Sequence, residues 1–94
     1  MNYSNYEYTK HFTDRMNQRG ISDDLIEIVL EHGETHFHNG GEVTRVTKKT
    51  IKRLRNATTY SNQLLDKAKK VYIVEDAGTL ITNGHQHKKF KRDA

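Results

Sequence analysis

The chain has 94 residues, 33% hydrophobic and 30% charged, enough for one domain with a modest core. It contains no Cys, which excludes disulfides, thiolate metal sites and cysteine nucleophiles. No apolar run approaches the roughly 20 residues of a membrane helix, and the start, MNYSNYEYTK, lacks the apolar stretch of a secretory signal. The expectation is a cytoplasmic protein without membrane association. The net charge of +4 is unevenly spread. Residues 1–42 carry three basic and eight acidic residues, a net of −5; residues 43–94 carry thirteen basic and four acidic, a net of +9. A basic half joined to an acidic half makes a directed field that suits an anionic partner. The same charges also read as a solvated surface with no partner.

In chain order, Thr9 is placed to cap a first helix that ends near Arg19, with Gly20 as its left-handed terminator. Ser22 caps a second helix at once, with Asp23 and Asp24 near its positive end and an apolar face of Leu25, Ile26, Ile28, Val29 and Leu30. Gly33 stops it. Residues 34–39 alternate as a strand, Asn39-Gly40-Gly41 signals a turn, and residues 42–47 read as the return strand. Residues 48–70 allow two readings, one or two short helices carrying Ile51, Leu54, Leu64, Leu65 and Ala68, or a long basic loop. Val71–Glu75 and Thr79–Asn83 form a second hairpin about Asp76-Ala77-Gly78, and Gly84 interrupts its second strand. A basic tail, HQHKKFKRDA, follows. Two N-terminal helices packed on an antiparallel sheet give an α+β fold in a single domain spanning residues 1–94, with one sheet face covered and the other open.

The stretch HFTDRMNQRGISDDLIEIVLEHGE resembles the start of the bacterial domain of unknown function numbered 4258. The resemblance rests on His11, Arg15-Met16, Arg19-Gly20-Ile21-Ser22, Ile26 with Val29-Leu30, and Gly33. The closing VYIVEDAGTLITNGHQHKKFKR is similar to that family's final hairpin. Residues 43–70 align poorly. The family is in turn similar to the RelE/ParE-like toxins and other small ribonuclease folds with barnase-like members. This implies a curved antiparallel sheet behind two helices. It also implies metal-independent RNA cleavage or gyrase poisoning, although fold alone does not grant function.

Three groups of residues are candidates for chemistry. His11, Arg15 and Arg19 fall at i, i+4 and i+8, one stripe of the first helix beside an apolar stripe of Tyr8, Phe12 and Met16. They read as a phosphate-binding row with His11 as an acid or base, or as cations paired with nearby acids. Arg45, Lys48, Lys49, Lys52, Arg53 and Arg55 crowd into eleven residues without an acid. They suit a nucleic-acid backbone, which they would position without reading its sequence. The tail adds His85, His87, Lys88, Lys89, Lys91 and Arg92. Cleaving RNA without metal needs a base, an acid and cations around the phosphate, and histidine serves either proton role near neutral pH. His85 and His87 share a sheet face if the strand runs through Gly84. The catalytic expectation is therefore His11, Arg15, His85 and His87; the plain alternative is a basic terminus without chemistry.

Two His-x-His pairs, His36/His38 and His85/His87, with His32 nearby, have the spacing of nitrogen ligands but no sign that they meet. No resident metal and no cofactor are expected. The tyrosines offer stacking surfaces for bases. The functional expectation is a small basic RNA-binding protein, with toxin-type endoribonuclease activity as its sharper form and an acidic antitoxin as a fitting protein partner. The alternative is a binding module without catalysis, or a mobile-element accessory protein that docks to an acidic protein or nucleic acid.

Overall fold

A computed structural model describes residues 6–86 except Asn39, Thr58 and Thr59, and the side chain of His38 is not described. The elements are β1 (Glu7–Tyr8), α1 (Lys10–Arg19), α2 (Asp23–His32), β2 (Glu34–His38), β3 (Gly41–Arg45), α3 (Lys48–Ala57), α4 (Asn62–Ala68), β4 (Val71–Asp76) and β5 (Thr79–His85). The α+β class stands, with four helices and a five-stranded sheet among the described residues. The sheet order is β1-β5-β4-β3-β2. It is mixed, because β1 runs parallel to β5 while all other neighbours are antiparallel. The two expected N-terminal helices stand, and residues 48–70 add two more. Two expectations need correction. The sheet is mixed instead of antiparallel, and it is open instead of curled.

The helix boundaries follow their caps. The Thr9 side chain accepts from the Phe12 amide at 3.1 Å, and Gly20 closes α1 at φ 67° with its N–H on the Met16 carbonyl. A side chain at that positive φ would be strained, so glycine belongs there. Ser22 accepts from the Leu25 amide, and Ser61 accepts from the Leu64 amide to start α4. Gly33 has an ordinary extended backbone, and its constraint is space. A Cβ there would lie 2.3 Å from the Val29 carbonyl oxygen and 2.7 Å from Thr44 Cγ2.

The core collects Phe12 and Met16 of α1, the apolar face of α2, Ile51 and Leu54 of α3, Leu65 and Ala68 of α4, and Val71, Ile73 and Leu80 of the sheet. Val71 and Ile73 alternate with Tyr72 and Val74, so the helices cover one face of the sheet. Residues 48–70 thus form two helices, not a loop. Their apolar residues are few, but each helix spends them on one buried stripe. Tyr8, expected to extend the apolar stripe of α1, lies in β1 and stacks on Phe12 with ring centroids 6.2 Å apart. Strand β5 continues through Gly84 to His85, so Gly84 does not interrupt it. It bends at a register shift against Val74/Glu75, which leaves Ile81 without a partner on β4.

Candidate nucleic-acid interface

Helix α3 holds the densest cationic surface among the described residues. It begins at Thr47, whose hydroxyl accepts from the Thr50 amide at 3.2 Å. Thr50, Ile51 and Leu54 are buried, which turns Lys48, Lys49, Lys52 and Arg53 outward. Lys48/Lys52 and Lys49/Arg53 are i,i+4 pairs of like charge, and α3 contains no carboxylate to offset them. Such pairs each cost a few tenths of a kcal/mol, about 0.2–0.5. The helix is held by its buried stripe and not by its surface. Arg55 has another occupation. It donates to Asn62 Oδ1 at 3.1 Å and to Asp66 Oδ1 at 3.0 Å, which ties α3 to α4. That hydrogen bond, more than the Arg55 charge, holds the Asp66 carboxyl below its usual range.

A second cationic group lies where β3 and β5 end and β4 begins. Gln86 connects three of its members. Its backbone N–H donates to the Lys70 carbonyl at 2.6 Å and its side-chain amide donates to the Lys69 carbonyl at 3.3 Å, while its Oε1 accepts from Arg45 Nη1 at 3.3 Å. Arg45 leads into α3 through Val46 and Thr47, so this end of the sheet adjoins the start of the cationic helix. Lys69 and Lys70 are not among the candidates named from the sequence. Their signal was the KAKK run at 67–70, which says nothing of its proximity to Arg45 until Gln86 joins them.

The residues expected to carry chemistry are placed as follows. His11 and Arg15 meet, with Arg15 Nε donating to His11 Nε2 at 3.3 Å. His11 and Arg19 are exposed, and Arg15 is half-buried. Helix α1 is fastened to β5 at both ends of its first turn. The Thr9 amide donates to the Leu80 carbonyl at 3.1 Å, its hydroxyl to the Ile81 carbonyl at 3.0 Å, and Asn83 Nδ2 to the Phe12 carbonyl at 3.0 Å. The helix therefore advances in the same sense as β5. His85 pairs with Val71 in the register and so lies on the helix-covered face, beyond the Asn83 anchor. His87, Lys88, Lys89, Lys91 and Arg92 lie outside the described residues.

Other titratable groups are engaged locally. His32 Nε2 lies 3.3 Å from the Tyr60 hydroxyl, ring edge to face, and burial together with Glu31 and Glu27 raises the Tyr60 phenol. His36 lies 3.8 Å from Glu34. Glu42 and Glu75 are cross-strand partners, and burial plus the Glu42 charge raises the Glu75 carboxyl. Among the described residues no group of three or more His, Asp or Glu is arranged to hold a metal ion, and no helix is long and apolar enough to cross a membrane.

The fold and these surfaces define a small α+β protein with a cationic helix and a cationic sheet end. The family model of a domain of unknown function, DUF4258, matches residues 8–82, and the chain belongs to that family. No curated protein and no solved structure matches the chain.

Proposed function

We propose that the protein binds RNA through its basic half. The observation that carries this reading is the outer surface of α3, where Lys48, Lys49, Lys52 and Arg53 are exposed on a helix that itself contains no carboxylate. A polyanion offsets the repulsion within this row and gains by releasing its own counterions. Arg45, Lys69 and Lys70 extend the row around the end of the sheet. Contacts of this kind hold the phosphate backbone and leave sequence unread. The test is a salt titration of the affinity for a fluorescein-labelled RNA. Replacing Lys48, Lys49 and Lys52 by Ala is expected to weaken binding and flatten its dependence on salt.

A sharper second reading is a metal-independent endoribonuclease of the RelE/ParE toxin type, acting in the cytoplasm and held in check by an acidic protein. What favours it is the His11–Arg15 pair, which sets an imidazole beside a fixed guanidinium charge. In this reading Arg15 turns from His11 Nε2 to the phosphate, which frees that nitrogen to take the ribose 2′-OH proton; the 2′-oxygen attacks phosphorus, Arg15 stabilises the phosphorane, and His85 protonates the leaving 5′-oxygen. RNA cleavage in EDTA by the wild type, lost in His11→Ala and in His85→Ala, is the expected result. Intact RNA under all conditions leaves a binding module without catalysis.

A further inference from the structure

The helix-free face of the sheet has a construction that α3 does not explain. Arg45, Tyr72 and Gly84 are successive partners across β3, β4 and β5. They form one row on the face opposite the buried Val71 and Ile73. Gly84 leaves a recess beneath Tyr72. A Cβ at Gly84 would lie 2.9 Å from the Tyr72 hydroxyl and 3.1 Å from its ring carbons. The phenol ring therefore lies down over the Gly84 backbone instead of standing off the sheet, and Tyr72 stays half-buried. The next row across the same face sets buried Val43 beside half-buried Val74. Arg45, at the Tyr72 end, is oriented by Gln86, whose other bonds run to the Lys69-Lys70 turn.

A flat aromatic ring beside the half-buried Val74, with an oriented guanidinium and the Lys69-Lys70 turn at the rim, has the chemistry that receives an unpaired base and its phosphate. Single-stranded nucleic acid binds by stacking on aromatic rings and by tracking a cationic edge. Duplexes hide their base faces and offer only phosphates to such a surface. We infer that this face is a base-stacking platform for single-stranded RNA, with Tyr72 as the stacking ring and Arg45, Lys69 and Lys70 holding the adjoining phosphates. This inference rests on the RNA-binding reading and adds to it the strandedness of the ligand.

The experiment compares a fluorescein-labelled single-stranded RNA with a hairpin duplex of equal nucleotide count. The proteins are the wild type, Tyr72→Ala, Tyr72→Phe and the Lys48/Lys49/Lys52→Ala triple variant, each checked for folding by circular dichroism. The platform predicts that the wild type prefers the single strand and that Tyr72→Ala weakens that binding about tenfold, the scale of one stacked base. Duplex affinity stays unchanged in Tyr72→Ala, and Tyr72→Phe keeps wild-type behaviour because the ring remains. Gly84→Ala, which must lift the ring, reproduces the Tyr72→Ala loss. If both RNAs bind equally and Tyr72→Ala changes neither while the lysine triple weakens both, the platform is overturned and the cationic reading stands. If neither RNA binds the wild type, the RNA-binding reading falls and the platform with it.

Discussion

Asn83 is the most deeply buried polar residue described, 1% exposed, and its two polar atoms fare differently. Its Nδ2 donates to the Phe12 carbonyl, while its Oδ1 has no hydrogen-bond partner. Leaving a buried acceptor unmet costs about 1–3 kcal/mol, so the anchor it gives to α1 must outweigh that cost. Asn83→Asp would set a buried carboxylate against the Phe12 carbonyl oxygen. The expected loss is about 3 kcal/mol or more in urea unfolding, easing as pH falls and the acid protonates. Glu75 behaves in the opposite sense to a stabilising carboxylate. Its folded pKa is raised by burial and by Glu42, so the folded state binds its proton more tightly than the unfolded state. Its penalty is absent below the ordinary glutamate range and fully present above the raised value. Stability therefore falls as pH rises through that window. Glu75→Gln is expected to stabilise at neutral pH by about 0.5 kcal/mol, the scale of a like-charge cross-strand pair, and to flatten this pH dependence.

At the scale of elements, α1 and α2 were legible because their signals are local. Thr9, Gly20 and Ser22 act within one turn of themselves, and the structure puts each where its chemistry requires. Helices α3 and α4 were ambiguous because cations dilute their stripes and because what joins them is long-range, with Arg55 reaching Asp66 eleven residues away. Strand β1 was missed because two residues carry no periodicity and its existence depends on β5. Gly84 read as a breaker because a glycine in a strand gives no sign of the ring that lies above it. The junction of α2 and β2 depends on space at Gly33. Gly33→Ala forces a methyl against the Val29 carbonyl and Thr44, and a loss of about 1–3 kcal/mol is expected in thermal or urea unfolding. Thr9→Ala removes both the α1 cap and the bond to Ile81, and about 1–2 kcal/mol should be lost in the same assay.

At the scale of the molecule, the charge division between the halves was visible in composition, but the shape of the cationic surface was not. The fold turns Lys48, Lys49, Lys52 and Arg53 outward on α3, withdraws Arg55 into an ion pair, and brings the Lys69-Lys70 turn to Arg45 through Gln86. It also brings His11 to Arg15, which the i,i+4 spacing anticipated. If α3 holds an RNA backbone, RNA affinity must fall as salt rises. For a single strand, log affinity falls with log salt at about −0.7 per phosphate contacted. Contacts from Lys48, Lys49, Lys52 and Arg53 predict a slope contribution near −3, and the triple Ala variant should flatten the slope by about 2. A wild-type slope near zero, or a triple variant with an unchanged slope, would mean that α3 does not hold RNA phosphates.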